Sequence, residues 1–319
     1  MKAEIGLDLI KAKNILESGD LVGIPTETVY GLAANALDPL AVSKIFEAKN
    51  RPKFDPLIVH LSEIEQFDLY SKNFPKELFI IAEKFCPGPI TFLVEKKSII
   101  PDLTTSGLEK VALRIPNHPL TLELLKSLDF PLAAPSANPF GYVSPTSAQH
   151  VFDQLGEKIP YILDGGSSKV GLESTIIGME NEELVIYRKG GLAIEDLQSV
   201  FSGEIRIKDH SSSNPQAPGM LSKHYSPNKR MELWDKTDQF REFGNKKIGF
   251  LGFSKKLEGI ENQFILSEKE DLNEAAFRLF EGLRYLDKLP IEKIYIELVP
   301  EKGLGIAIND RLRRSVAKS

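Results

Sequence analysis

Lys49-Asn50-Arg51-Pro52-Lys53-Phe54-Asp55-Pro56-Leu57-Ile58-Val59-His60-Leu61 holds a helix end, a stiff cationic loop and an apolar strand in one continuous stretch. Upstream, Asp38-Pro39 offers an N-cap with proline in the first turn, so a helix is predicted from there to Asn50. Downstream, 57–61 reads as a buried strand. A helix handing over to a buried strand is the unit of an α/β fold, and polar groups at strand ends are where such folds bind ligands. Ser136-Ala137-Asn138, held between Pro135 and Pro139, repeats the arrangement after the apolar run 132–134.

Working outward, further apolar runs lie at 21–25, 90–94, 111–115, 161–163, 175–177 and 184–187, with helical patterns near 76–86, 118–128 and 145–155. That succession predicts a large, mostly mixed, twisted sheet with a concave site, spanning 1–208. Ser62-Glu63-Ile64-Glu65 has the form of a capping box. Residues 1–20 read as an amphipathic helix with charges throughout and no uninterrupted apolar stretch for a signal peptide or membrane span. A cytoplasmic protein without a membrane partner is the expectation. Residues 209–228 are rich in Ser, Pro, Asn, His and Gly without a sustained period, which marks an interdomain linker. Beyond it, strand patterns at 231–234, 247–251, 263–266 and 293–298 alternate with helical ones near 236–243, 270–288 and 307–317. They predict a smaller, Rossmann-like α/β domain over 229–319.

Composition narrows the function. Among 319 residues, 40 basic against 45 acidic side chains give a net charge of -5, which disfavours broad nonspecific nucleic-acid binding. Any anion site is therefore a local cluster. The lone Cys86 excludes an internal disulfide and any multi-cysteine metal centre.

No Gly-x-x-x-x-Gly-Lys-Ser/Thr motif is present, and Gly303-Leu304-Gly305 lacks the third glycine of a dinucleotide fingerprint. Five other polar clusters sit at strand ends. Pro25-Thr26-Glu27-Thr28-Val29-Tyr30-Gly31-Leu32 presents hydroxyls and a carboxylate, although Thr and Glu also cap helices. Lys49, Arg51 and Lys53 complement a helix dipole or, stiffened by Pro52 and Pro56, hold phosphate. Ser136 and Asn138 form a rigid polar turn, after which Ser144 is placed to cap a helix starting near Pro145. Gly171-Leu172-Glu173-Ser174-Thr175 and Arg188-Lys189-Gly190 complete the set. His60 in an apolar strand reads first as a hydrogen-bonded structural residue. Arg114, in Val111-Ala112-Leu113-Arg114-Ile115, needs a carboxylate partner from the protein or from a substrate. A Ser-His-Asp hydrolase lacks its Gly-x-Ser-x-Gly elbow, and five scattered histidines make no metal centre. A metal, where needed, travels with a nucleotide as Mg²⁺.

In order, 25–32, 49–60, 111–116, 134–138, 174–177, 187–191 and His224-Tyr225-Ser226-Pro227 resemble the YrdC-like threonylcarbamoyl-AMP synthases in their long, two-domain form. Asn50 stands where relatives often carry glycine. The resemblance implies ATP-dependent condensation of L-threonine with bicarbonate, giving threonylcarbamoyl-adenylate and pyrophosphate for threonylcarbamoyladenosine in tRNA. By motif, Thr28, His60, Arg114, Ala134 and Ser174 would hold threonine. Lys49, Arg51, Asp55, Lys110, Ser136, Asn138, Ser144, Arg188 and Tyr225 would line the ATP side, with Lys49 and Arg51 as the catalytic cations. Mg²⁺ accompanies ATP, and the implied partners are downstream threonylcarbamoyl-transfer proteins and a weak tRNA contact. The linker is then either a lid over the site or a passive tether. Two alternatives compete. Carbamoyl-adenylate handling, as in hydrogenase-maturation carbamoyltransferases, would need further regions that this chain has neither the length nor the cysteines to carry. An RNA-binding or ribosome-assembly module would show salt-dependent RNA affinity without ATP turnover.

Overall fold

The structure, a computed structural model, describes residues 2–208, 216–220, 225–235 and 247–316. Among them, eleven strands form one mixed sheet in the order Glu4–Gly6, Tyr161–Leu163, Val22–Ile24, Gly31–Asn35, Leu132–Ala133, Ile58–His60, Lys110–Arg114, Ile90–Glu95, Thr175–Glu180, Glu183–Arg188 and Ile205–Ile207. Four parallel strands, Arg230–Leu233, Lys293–Ile296, Ile248–Gly252 and Asn262–Ile265, make the second sheet. The large mixed sheet and the smaller parallel one are those expected from the apolar runs.

The anticipated helix after Asp38 is Pro39–Lys49, with the Asp38 carboxylate accepting from the Leu40 amide. It ends at Asn50 in the left-handed region, φ 51°, a conformation glycine takes freely and asparagine tolerates. The chain then turns through Pro52 into Ile58–His60, which pairs in parallel with Lys110–Arg114 so that His60 lies opposite Arg114. Register alone brings these two side chains to one place.

Several expectations need correction. Residues 1–20 are not one helix: Glu4–Gly6 pairs as an edge strand with Tyr161–Leu163, and the helix covers only Leu9–Glu17, capped by Asp8. Gly31–Asn35 is a strand, pairing antiparallel with Val22–Ile24. Its small residues gave no β-branched signal, yet they let it lie buried between neighbours. The capping box at 62–65 does not form; the Ser62 amide and hydroxyl both donate to Gln66 Oε1 beside a short 3₁₀ turn, Ile64–Gln66. The helix assigned to 145–155 begins at Ala148, and its cap is Ser147, not Ser144. Ile205–Ile207 adds a strand beside Glu183–Arg188 that was not anticipated. The helix expected near 236–243 and His224 lie outside the described residues.

The two sheets share packing. Val29, Val143 and Leu172 of the larger unit join Leu279, Phe280 and Leu283 of helix Leu272–Lys288 in one apolar cluster. Gly171, at φ +76°, comes so close that a Cβ there would stand 2.5 Å from the Ala276 carbonyl oxygen and the Phe277 Cα. Arg284 donates to the Val143 and Ser144 carbonyls, and the Tyr142 hydroxyl donates to Asp287 at 2.6 Å. No helix among the described residues is long and apolar enough to cross a membrane.

Candidate functional site

Polar strand ends converge on a cavity of about 50 Å³, room for a few water molecules. The Thr26–Val29 turn forms one side. Thr26 Oγ1 donates to the Val29 carbonyl at 2.6 Å and accepts from the Thr28 and Val29 amides, which shapes the turn. Behind it, Arg114 Nη2 donates to Glu27 Oε1 and to Thr28 Oγ1, both at 2.8 Å. The carboxylate partner that a strand-borne arginine required is therefore Glu27, and the pair is buried. Arg114 still faces the cavity, beside His60 and Ala134.

His60 is buried, and burial first, then the neighbouring Arg114 charge, push its pKa down to about 3. It stays a neutral imidazole at working pH. In the unfolded chain it titrates near 6.5, so from there down to about 3 the unfolded state binds a proton that the folded state refuses. Stability attributable to His60 is complete above pH 6.5 and falls by up to about 1.4 kcal/mol per pH unit below it. Thermal unfolding between pH 7.5 and 5 should therefore fall less steeply in His60→Gln than in the parent. Equal slopes would contradict the burial argument.

The opposite side is cationic. Arg51 Nη2 lies 2.9 Å from Asp55 Oδ2, while its guanidinium donates to the Asp55 and Pro56 carbonyls. These bonds close the 51–56 loop on itself. Burial pushes the Asp55 carboxyl up and Arg51 opposes that rise. Lys49 turns inward, and its ammonium donates to the Ser136 and Asn138 carbonyls. Burial, then the Arg51 charge, lower its pKa well below the ordinary value. Lys49 thus braces the Ser136–Asn138 loop instead of lining the cavity. That loop is clipped by the Leu32 amide to the Pro135 carbonyl at 2.7 Å and by the Ala137 amide to the Tyr30 carbonyl at 2.8 Å. Asn138 Nδ2 donates to the Pro139 and Tyr142 carbonyls.

The third side carries Arg188, which donates through Nε and Nη2 to the Ser174 carbonyl and hydroxyl, both at 3.0 Å. Ser174 in turn shares a 2.6 Å bond with Thr91. Burial lowers the Arg188 pKa to about 10, leaving it charged. Its Nη1 donates to the Pro218 carbonyl at 3.2 Å, so the 216–220 segment lies directly on the cavity. Ala217 and Met220 are buried against Ile58, Ala112 and Tyr187 on the sheet face, and Tyr225 closes the remaining edge.

Of the residues expected at the site, Arg51, His60, Arg114, Ala134, Ser136, Arg188 and Tyr225 line the cavity, while Thr28, Lys49, Asp55, Asn138 and Ser174 support them from behind. Lys110 and Ser144 point to other partners. Lys110 turns to the Tyr187 hydroxyl at 3.4 Å, outside the lining. Ser144 donates to Glu173 Oε1 at 2.6 Å. Glu173, in the polar Gly171–Thr175 stretch but not among the residues that the resemblance assigns to a substrate, itself lines the cavity. Burial alone would raise its pKa, but Arg311, Arg188 and Ser144 outweigh burial and lower it. The Glu27 to Arg114 pairing likewise had no sequence signal beyond Arg114's need for a carboxylate.

Fold and site together define a two-domain α/β protein with a cation-walled cavity at its strand ends. Residues 14–190 match the family described as "Telomere recombination" (Sua5_yciO_yrdC), and residues 192–317 match "Threonylcarbamoyl-AMP synthase, C-terminal domain". The threonylcarbamoyl-AMP synthase of Pyrococcus abyssi is 40% identical over 95% of this chain and 92% of its own length, and that of Bacillus subtilis is 35% identical over 96% and 92%. A crystal structure of P. abyssi Sua5 complexed with L-threonine superposes with a TM-score of 0.89 at 39% identity, covering 97% of this chain and 94% of that one. The chain belongs to the threonylcarbamoyl-AMP synthase family, in its two-domain form.

Proposed function

We propose that the protein condenses L-threonine, bicarbonate or CO₂, and ATP into L-threonylcarbamoyladenylate and pyrophosphate. The observation that carries this reading is one cavity with Arg114, His60 and Ala134 on one side and Arg51, Ser136 and Arg188 on the other. Arg114 takes the threonine carboxylate, oriented by Glu27 and Thr28 behind it. The neutral amine of threonine attacks the carbon of bicarbonate or CO₂; the new N–C bond gives a carbamate anion, with water leaving when bicarbonate is the source and a proton passing to solvent when CO₂ is. A carbamate oxygen then attacks the α-phosphorus, and the bond to the bridging oxygen breaks to release pyrophosphate. Both partners in that step are anionic, so orientation and positive charge count for more than a protein nucleophile.

Arg51 and Arg188 supply that charge directly, and Lys49 supports it by fixing the Ser136–Asn138 wall. Among the described residues no group of three His, Cys, Asp or Glu side chains is placed to hold a metal, and the Asp55 carboxylate is engaged with Arg51. Mg²⁺ would therefore travel with the triphosphate, and the chemistry it would supply is charge neutralisation.

A cavity of about 50 Å³ is far too small for ATP, so the nucleotide enters when Pro218, Gly219 and Tyr225 move off the cavity and is sealed from water when they return. The linker is a lid on this reading, not a passive tether. The adenylate then passes, in the cytoplasm, to threonylcarbamoyl-transfer proteins that modify tRNA, with weak tRNA contact at most. Pyrophosphate release from ATP and Mg²⁺ is expected to require both threonine and bicarbonate. Release that persists unchanged without threonine would overturn the substrate assignment.

A further inference from the structure

His60 stands between two cavities. It lines the arginine-walled one, and it also lines a second, of about 170 Å³. Three neighbouring pieces of chain build the second: the turn that follows strand Ile58–His60, the short helix Phe67–Tyr70, and the end of helix Pro119–Ser127 with the 128–131 loop after it. The partition itself is a buried imidazole whose Nδ1 has no hydrogen-bond partner. Buried polar nitrogens are nearly always paired, and leaving one unpaired costs free energy. Packing and the strand hold this ring, and no bond at Nδ1 opposes its rotation.

The two cavities differ in charge. Arg51, Arg114 and Arg188 line the first. Among the described residues lining the second there is no lysine or arginine; Leu61, Leu69, Leu125, Leu128 and Phe130 supply apolar wall, and Asp129 adds a carboxylate. An anion entering there would lose hydration with no cation to replace it, and would meet a like charge. A small neutral molecule meets neither penalty. The imidazole at the inner end is neutral as well, because burial and the Arg114 charge hold its pKa down.

We propose that the second cavity is a binding and entry site for CO₂, which reaches threonine past His60 while the nucleotide fills the first cavity. The inference rests on the adenylate-forming reading and names the one-carbon species that it consumes. Of the three co-substrates only CO₂ carries no charged group, so it alone suits a route without cations. The lone pair of the threonine nitrogen forms the new N–C bond as one C=O π pair moves onto oxygen. The amine proton passes to solvent, and a carbamate anion remains beside Arg114 and the nucleotide. Bicarbonate in solution replenishes the CO₂ by taking up a proton and losing water, so the overall requirement for bicarbonate is kept.

The full-length protein, with ATP, Mg²⁺ and L-threonine, is given either ¹⁴CO₂ or ¹⁴C-bicarbonate in the cold and quenched before the two interconvert, and labelled threonylcarbamoyl-adenylate is counted. Label from CO₂ is expected to appear several-fold faster, and added carbonic anhydrase should abolish the difference. Faster labelling from bicarbonate, or equal labelling from both without carbonic anhydrase, would overturn the proposal. Leu69→Trp and Leu128→Phe, each checked by thermal unfolding, then narrow the second cavity. The CO₂ concentration giving half-maximal rate should rise about tenfold, while the KM values for threonine and ATP move far less. A general loosening of the fold would move all three. A rise in either folded variant supports the route, and parental CO₂ dependence in both overturns it. Should Leu128→Phe fail to fold, Leu69→Trp carries the comparison alone, since Leu69 is 56% exposed and accepts a larger side chain. A parent that forms no labelled threonylcarbamoyl product refutes the adenylate reading and the CO₂ route with it. A parent that forms the product, but draws its label first from bicarbonate, refutes the CO₂ route alone.

Discussion

Arg114→Ala is expected to raise the threonine concentration needed for half-maximal turnover by about 30-fold or more, with the ATP requirement changed far less. The figure follows from the cost of truncating one member of a buried, hydrogen-bonded charge pair, about 2–5 kcal/mol, applied to the arginine's pairing with the threonine carboxylate. Arg114 sits where that carboxylate would meet both a fixed guanidinium and the Thr28 hydroxyl, and no other arginine lies on the same strand. The substitution also leaves Glu27 buried without its partner, a change that destabilises by about 3–5 kcal/mol when a buried ion pair is broken from one side. The double variant Glu27→Gln, Arg114→Ala should recover much of the thermal stability but none of the threonine affinity. Kinetics with each substrate varied in turn, beside thermal unfolding, separate the two consequences. A recovery of threonine affinity in the double variant would mean that Arg114 serves only to neutralise Glu27.

Arg51→Ala carries the second large effect, on ATP. Its side chain folds the 51–56 loop back on itself through the contact with the Asp55 carboxylate and two donations to the Asp55 and Pro56 carbonyls. Without it Asp55 is a buried carboxylate left with the Gly219 backbone and the more distant Lys49 and Arg188 charges, and the loop loses its shape. A fall in ATP use of about 100-fold in kcat/KM is expected, in line with losing one preorganised donor at a site of developing charge, while the threonine KM moves much less. Arg51→Lys should restore only part of the loss, because an ammonium cannot span the carboxylate and two carbonyls at once. Equal losses toward both substrates in Arg51→Ala and in Arg114→Ala would refute the division of the cavity into two subsites.

Much of this arrangement is written locally in the sequence. The cap at Asp38, the stop at Asn50, the stiff loop between Pro52 and Pro56 and the strand ending at His60 each follow from neighbouring residues, so their positions relative to one another were open to reading. The convergence of separate polar strand ends was readable too, because strand ends in an α/β sheet tend to meet at one edge. What stayed hidden depends on distant pairings. Ser144 has the right chemistry for a helix cap, but Ser147 takes that place and Ser144 serves Glu173 instead, across 29 positions. Gly31–Asn35 hides as a strand because its burial, not its composition, makes it one. Lys49 looks like a solvated helix terminus until the Ser136–Asn138 loop arrives above it. The arginines of the last helix have an ordinary helical periodicity, and only tertiary packing brings Arg311 to Glu173 of the first domain.

The central claim is that this one cavity joins carbamoylation of threonine to adenylate formation. Incubation with ATP, Mg²⁺, L-threonine and ¹³C-bicarbonate, followed by rapid mass analysis, tests it most directly. The account predicts a nucleotide product carrying both the threonyl group and one ¹³C atom, formed in step with pyrophosphate and absent when either threonine or bicarbonate is withheld. Pyrophosphate produced without a ¹³C-labelled threonylcarbamoyl-adenylate, at equal rate with and without threonine, would contradict it.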